Sequence, residues 1–487
     1  MYLSTRGDKV IGDAWAIVKG MADDGGLFVP AAIPVLSLER MQKLNYYQLA
    51  SSIIGEFLND FSFSEIKEII ENSYRNRFNT SDIVCVNKVG NIFVLELFHG
   101  PTLAFKDIAL SLLPNIFVMS KNKIQNKKKT VILTATSGDT GSAALSGFRG
   151  VDLTVPVVFY PKNGTSVIQE YQMLSYADSG AIVVALDGDF DAAQRLVKAI
   201  FADKSFQNQN FELSTANSIN IGRILPQIVY YFYAYFELIN IGAIKSGEKI
   251  NFVVPTGNFG NIFAGYLAKR MGLPINRLIC ACNQNNVLYD FFKSGRYNRN
   301  RQLFKTISPS MDILVSSNLE RLLYYASDED SVIITNLMQS LHLNGWFKVT
   351  AEIYQNLVDF TAYYVSERET LDTISQVYSE FNYLIDPHTA VAYDAYVKHC
   401  NITQNYPKTV ILATAHPFKF PTTVLKALGK ESGDNEFENL YLLSKYTKKK
   451  IPKSIMDLEK YQSRKNVWLI NAAKDNLKER LKECGLQ

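Results

Sequence analysis

Cysteine is scarce in this chain: the five residues Cys85, Cys280, Cys282, Cys400 and Cys484 are an odd number and show no Cys-x-x-Cys spacing. That excludes a disulfide framework and fits free thiols in a reducing compartment. Cys280 and Cys282 share one face of a strand-like segment, residues 277–283, yet two thiolates without a nearby His or Cys pair do not complete a zinc site. Core packing is expected for them, and no metal. Long apolar runs are absent too. The longest, residues 228–236, ends at Glu237 and falls well short of the roughly 18 residues that a membrane span needs. The first residues contain no apolar stretch of the kind a secretory signal requires. A cytoplasmic protein with no membrane partner is therefore expected. Charge of one sign is also lacking. Lys plus Arg number 51 against 47 for Asp plus Glu, a net +4 that is dispersed, so nucleic acid is not an expected partner. Two basic runs, residues 121–129 and 445–453, read as solvated linkers.

What is present is ordinary globular composition, 47% hydrophobic and 20% charged, over 487 residues, long enough for two or three domains. The first eighty residues carry a turn signal at Asp24-Gly25-Gly26 and an amphipathic helical pattern at residues 64–74. From residue 130 strands and helices alternate: strands at 130–136, 153–160 and 181–186, helices at 140–148, 166–176 and 191–202. A second series follows, with a strand at 249–255, a helix at 259–271 and a strand at 277–283. Such alternation predicts an α/β protein with two open, mostly parallel-sheet lobes and a cleft between them. The aromatic run at residues 230–236 is apolar nearly all round a helix, which predicts burial between layers or at a subunit contact.

Four segments carry candidate chemistry. In Glu96-Leu-Phe-His-Gly-Pro-Thr-Leu-Ala-Phe-Lys-Asp107 a single lysine, Lys106, sits among apolar residues at the start of a predicted helix. A desolvated amine has the lowered pKa that Schiff-base chemistry needs, although a lysine beside an aspartate is more often an ion-paired surface residue. In Thr134-Ala-Thr-Ser-Gly-Asp-Thr-Gly-Ser142, Gly138 and Gly141 permit close backbone approach, and Ser137 and Thr140 add hydroxyls at a helix N-terminus. That suits a carboxylate, and an ordinary capped helix start would look the same. Val254-Pro-Thr-Gly-Asn-Phe-Gly-Asn261 again joins a strand to a helix, and its amides can nest a phosphate. No Gly-Lys-Ser/Thr follows it and the Gly-x-Gly-x-x-Gly spacing is absent, so a nucleotide fold is a poor match. Finally, a strand at residues 409–413 delivers Thr414-Ala-His-Pro-Phe-Lys-Phe-Pro421 to the end of a sheet, where clefts lie.

These four segments, in this order, resemble the threonine synthase family within the tryptophan-synthase-β-like group of pyridoxal-phosphate enzymes. The resemblance extends to Tyr2-Leu-Ser-Thr-Arg-Gly, Asp24-Gly-Gly-Leu-Phe-Val-Pro30, Asn217-Ser-Ile-Asn-Ile-Gly-Arg-Ile-Leu-Pro-Gln227 and Asp386-Pro-His-Thr-Ala-Val391, and runs to about residue 430. It implies the fold type II architecture of such enzymes: an N-terminal domain over residues 1–80 and a catalytic core over 81–430. The core's smaller lobe would span roughly 105–220, with the larger lobe as the remainder and 431–487 left as a segment without an interpretable motif. It implies pyridoxal 5'-phosphate as cofactor, bound covalently by Lys106, with Gly257, Asn258, Phe259, Gly260 and Asn261 on its phosphate and Thr414 on its ring nitrogen. Ser137, Gly138, Asp139, Thr140 and Gly141 would grip the substrate carboxylate, and Arg223 and Lys162 are the candidates for the substrate phosphate.

The implied reaction turns O-phospho-L-homoserine and water into L-threonine and phosphate, in a monomer or homodimer. A phospho-lyase that stops at 2-oxobutanoate, and a catalytically silent ligand-binding homologue, are the alternatives. His388 and His416 receive no proton-transfer role. Two positions depart from the family pattern: Asn163 where glycine is usual, and Phe418 inside His-Pro-Ala-Lys-Phe.

Overall fold

The computed structural model describes residues 1–80, 82–177, 180–206 and 211–486. A small antiparallel sheet opens the chain, with β1 (Tyr2–Ser4) between β2 (Gly7–Ile11) and β3 (Phe28–Pro30). The Asp24-Gly25-Gly26 turn is made as expected: Asp24 Oδ1 accepts the Gly26 N–H at 2.7 Å, and Gly25 takes a φ of 80°. Helix Phe63–Tyr74 starts one residue before the periodicity suggested. Ser62 and Glu65 form a capping box there, and the buried face is Ile66, Ile69, Ile70, Ser73 and Tyr74.

β4 (Cys85–Val89) and β5 (Ile92–Glu96) form a hairpin, after which helix Lys106–Lys123 begins. Next come β6 (Lys129–Ala135), β7 (Thr154–Pro161), β8 (Ile182–Asp187) and β9 (Phe211–Thr215), separated by helices Asp139–Phe148, Val167–Leu174 and Phe190–Ala202. Helix Leu225–Asn240 leads to β10 (Ile250–Pro255), helix Gly260–Arg270 and β11 (Ile275–Cys282). β12 (Arg296–Asn298) and β13 (Trp346–Lys348) make a short antiparallel ribbon. β14 (Phe360–Tyr364), helix Pro387–Thr403, β15 (Thr409–Ala413) and β16 (Val467–Leu469) complete the strands.

Two sheets result, both essentially parallel. The larger has the order β14-β11-β10-β15-β5-β4, in which only β4 runs antiparallel; the smaller has the order β16-β8-β7-β6-β9. Their strands read as continuous apolar runs because helices cover both faces, and every residue of β10 is buried. Cys280 and Cys282 share a face of β11 as expected, their sulfurs 3.8 Å apart in the core. The aromatic helix Leu225–Asn240 is likewise buried, with Tyr230, Tyr231 and Phe232 fully enclosed.

One linker reading is corrected. Lys121 lies in the last turn of helix Lys106–Lys123, buried, and its amine bonds Thr130 Oγ1 at 2.7 Å and Glu212 Oε1 at 2.9 Å. Its long stem reaches from the helix end to the sheet edge, so it staples the two and is not solvated. The second run behaves as expected at Lys448, Lys449 and Lys450, which are exposed. The chain end, for which the sequence offered no reading, extends the smaller sheet: β16 pairs with β8, and Lys465 reaches Glu170 at 2.7 Å.

Candidate functional site

The cavity between the sheets is assembled from strand ends. β5 and β15 are parallel neighbours, with Glu96 opposite Ala413, so the segments that follow them leave the sheet side by side. Phe105 N–H bonds the Thr414 carbonyl at 2.9 Å and His416 N–H bonds the Leu103 carbonyl at 3.0 Å, which ties the Lys106 segment to the Thr414 segment. The turn into the helix is set by Asp107, whose carboxylate takes Thr102 N–H at 2.8 Å and Thr102 Oγ1 at 2.6 Å. Gly100 is required there, since a Cβ would sit 2.4 Å from that of Asp107.

Lys106 thus opens its helix with its amine facing the cavity, alongside Phe105, Thr140, Arg223, Gln227, the 257–261 loop, Ser310, His388 and Thr414. Desolvation pushes its pKa down to about 8. The charge of Asp139 opposes that shift, and those of Arg223 and Lys419 add to it.

After β10, the loop carbonyls of Gly257 and Asn258 are turned to Ser316 Oγ (2.7 Å) and Asn318 Nδ2 (2.7 Å). Phe259 adopts a left-handed φ of 64°, and the eleven-residue helix Gly260–Arg270 starts immediately after it. The first turn of a helix presents N–H groups without intrahelical partners, so this loop can receive an anion. A Cβ at Gly257 would lie 2.6 Å from the Ser310 carbonyl, so glycine is the residue that fits. Asn261 is oriented by the aromatic helix: Tyr230 and Tyr231 hydroxyls donate to its Oδ1 at 2.6 and 2.9 Å, while its buried Nδ2 has no partner among the described residues.

On the smaller lobe, the loop after β6 folds over Thr136 Oγ1, which accepts the N–H groups of Gly138 (2.9 Å) and Gly141 (3.0 Å). Of the five residues 137–141, Thr140 lines the cavity. The Asp139 side chain is engaged elsewhere: Oδ1 accepts from Lys419 Nζ and from Gln169 Nε2 (2.7 Å), and Oδ2 from Ser310 Oγ at 3.2 Å. Burial alone would raise its pKa, but Lys419 and Lys106 outweigh that and hold it well below the usual carboxylate range. An anion so placed does not grip a second carboxylate through its side chain. It ties the smaller lobe to Lys419 and to the segment carrying Ser310.

Asp139→Asn strands the fully buried Lys419 charge. Loss of one partner of a buried pair is expected to cost about 3–5 kcal/mol, read as a lower thermal midpoint of the cofactor-free protein. An unchanged midpoint would show the pair to be structurally idle.

The two phosphate candidates part company. Arg223 is buried, its Nη1 bonds the Ala216 carbonyl, its Nε has no partner among the described residues, and it lines the cavity with Lys106. Burial pushes its pKa down to about 10. Lys162 is not brought to the cavity. It is exposed just beyond β7, where its N–H bonds the Leu186 carbonyl at 2.8 Å and its side chain turns to solvent. Asn163 beside it adopts a φ of 64°, the left-handed conformation a glycine would take. Phe418 packs in the core with its ring 5.5 Å from that of His416.

Sequence reasoning passed over several groups at this site. Ser218, Gln227 and Ser310 line the cavity, and His388 lines it with Nδ1 2.7 Å from Asp386 Oδ1 and Nε2 accepting the Ser310 N–H at 3.2 Å. Position within the quoted motifs was the only signal for Ser218, Gln227 and His388, and Ser310 had none. A larger cavity of about 300 Å³ adjoins the first, sharing Ser218 and Asn258 and lined also by Arg6, Arg299 and Glu320.

Known proteins resemble this chain over most of its length. A family model described as pyridoxal-phosphate dependent enzyme matches residues 86–415, one described as threonine synthase N terminus matches 1–74, and one described as threonine synthase, C-terminal, matches 389–478. Threonine synthase of Saccharomyces cerevisiae is 40% identical over 464 residues, covering 88% of this chain and 89% of the relative. Threonine synthase-like 1 of Pongo abelii is 41% identical over 451 residues and 88% of this chain, which spans 60% of that relative's length. The crystal structure of PLP-bound threonine synthase from Brucella melitensis superposes with a TM-score of 0.86 at 36% identity, covering 98% of this chain and 99% of that one.

Proposed function

We propose a function from one premise: the chain belongs to the threonine synthase family of pyridoxal-phosphate dependent enzymes. On that premise it is a carbon–oxygen lyase that converts O-phospho-L-homoserine and water into L-threonine and phosphate. The observation that carries this reading is the Arg223 guanidinium, buried without an acidic partner among the described residues, on the same cavity wall as Lys106 and the 257–261 loop. A buried cation of that kind awaits an anion.

The residues fit pyridoxal 5'-phosphate. The donor Asn261 Nδ2 and the helix N-terminus at Gly260 suit its phosphate, and Lys106 Nζ suits its aldehyde. Thr414 offers a neutral hydroxyl to its ring nitrogen. Bound there, the cofactor supplies an electron sink that delocalises negative charge at the carbons of the amino acid.

The chain supplies the rest. Lys106 would hold the cofactor through Nζ; once free, that Nζ would take the Cα proton and a Cβ proton, whose electron pair expels the phosphate, and would then place a proton at Cγ and return one to Cα as water adds. Residues 137–141 receive the substrate carboxylate at the N-terminus of helix Asp139–Phe148, with Thr140 facing it. Arg223 holds the substrate phosphate, which leaves Cγ with the electron pair of the broken C–O bond. Water then forms the new C–O bond at Cβ.

Incubation with O-phospho-L-homoserine should give L-threonine and phosphate. Release of 2-oxobutanoate in its place assigns a phospho-lyase. No product, together with no cofactor absorption, assigns a silent ligand-binding homologue. We further place the protein in the cytoplasm, as a monomer or homodimer. The five unpaired thiols support a reducing compartment, and no helix among the described residues is long and apolar enough to cross a membrane.

Because the Lys106 amine titrates near 8, against 10.5 for an ordinary lysine, the uncharged nucleophile accumulates as pH rises through about 8. Stopped-flow capture of pyridoxal phosphate by the cofactor-free protein should therefore gain rate up to that pH and level off above it. A rate still climbing tenfold per pH unit at pH 9.5 would contradict the desolvated amine.

A further inference from the structure

The N-terminal domain contributes no residue to the lining of the cavity that contains Lys106, yet a chain of buried hydrogen bonds joins it to both segments that face an anion there. The connection runs through the start of helix Leu319–Ala326. Arg321 is fully buried, and its guanidinium spans three stretches of chain. Its Nε donates to the Phe28 carbonyl in β3 at 2.9 Å, Nη2 to the Ile219 carbonyl at 2.6 Å, and Nη1 to the Ser218 carbonyl at 3.2 Å and to Asn318 Oδ1. Asn318, also fully buried, carries the link onward: its Nδ2 donates to Ser218 Oγ at 2.9 Å and to the Asn258 carbonyl at 2.7 Å, and its backbone N–H reaches the same carbonyl at 3.1 Å. Glu320 accepts from Thr5 Oγ1 at 2.6 Å and from Arg6 Nη2 at 2.7 Å, which clamps this helix start onto the N-terminal domain. Ser218 and Ile219 lead directly into the turn Ile221–Arg223, and Asn220 Nδ2 bonds the Ile17 carbonyl at 3.0 Å, so the N-terminal domain holds the Arg223 segment at two points.

A guanidinium is planar and donates in fixed directions, so one arginine can hold several carbonyls at a set spacing, which a lysine ammonium on a flexible stem does not reproduce. Burying it is costly, and desolvation pushes its pKa down to about 10. We propose that Arg321 is a positioning residue for the reaction: through Ser218, Ile219 and Asn318 it fixes the gap between Arg223 and the 257–261 loop, and it takes its own placement from the N-terminal sheet. Arg321 does not line the cavity and touches neither ligand. Its effect is on where two phosphate groups are held relative to each other. The substrate half of this inference rests on the proposed function, in which Arg223 holds the substrate phosphate; the cofactor half does not depend on the substrate.

The test compares ligands with and without a phosphate, because a side chain that merely supports the fold weakens both alike. Holoenzyme is titrated by absorbance with O-phospho-L-homoserine and with L-2-aminobutanoate, which has the same amine and carboxylate but no phosphate. Cofactor-free protein is titrated with pyridoxal phosphate and with pyridoxal. Arg321→Lys is expected to weaken O-phospho-L-homoserine and pyridoxal phosphate by about 10-fold each and to leave their unphosphorylated counterparts within about 2-fold. Parallel weakening of all four ligands, or no change in either ratio, would overturn the proposal. Should Arg321→Lys not fold, Asn318→Ser severs the same link at the Asn258 carbonyl and should lower the preference for pyridoxal phosphate over pyridoxal by about 10-fold; an unchanged preference has the same adverse meaning. If the unaltered protein binds the two amino acids equally, the assignment of Arg223 to the substrate phosphate fails, and the ratio of the two cofactor forms still decides the role of Arg321.

Discussion

Lys106→Ala is expected to lower turnover by about 10⁴-fold and to remove the cofactor's lysine-linked absorption. Two losses coincide at one atom. In the proposed function the amine is both the nucleophile that would hold the cofactor and the base that would face the substrate carbons. No other lysine lines the cavity among the described residues: Lys419, the nearest in the network, is committed to Asp139 and to the Thr102 carbonyl at 2.8 Å. Adding methylamine to the variant should restore part of the proton transfer and none of the covalent attachment. The reading is sunk if Lys106→Ala keeps both its turnover and its yellow colour.

Arg223→Met has the second largest expected effect, and its two readouts move in opposite directions. Removing the buried guanidinium removes the proposed holder of the substrate phosphate, so kcat/KM should fall by about 10²–10³-fold. In the absence of substrate the same change should stabilise the protein. The charge is buried without an acidic partner, desolvation already pushes its pKa to about 10, and Met packs a similar length without that penalty. A higher thermal midpoint together with a lost substrate response is the signature of a binding cation. A structural arginine would give a lower midpoint and an unchanged KM.

Much of this molecule was readable along the chain. The strands expected at residues 130–136, 153–160 and 181–186 appear as β6, β7 and β8 shifted by no more than a residue at either end. Lys106 begins a helix and Thr414 follows directly on a strand, as their neighbours implied. These features are local: period, small residues at turns and capping groups act over a few residues, so a linear reading captures them.

Other features were not readable because they depend on partners far away in sequence. Lys162 stands in the same kind of strand-end segment as Thr140, yet its side chain faces solvent because the chain turns outward after β7. The Asp139 carboxylate is claimed by Lys419, 280 residues on, and by Ser310 from the other lobe. Asn261 is aimed by two tyrosines that the sequence marked only as apolar bulk.

The amino-acid order alone determined which backbone segments can bend, cap and expose amides, and which lysine opens a helix after an apolar stretch, because short-range sterics and hydrophobic period decide those things. Tertiary structure alone decided which charges meet: whether a lysine is a staple, a counter-ion or a solvated tip follows from burial and from partners that only a closed fold brings within hydrogen-bonding distance.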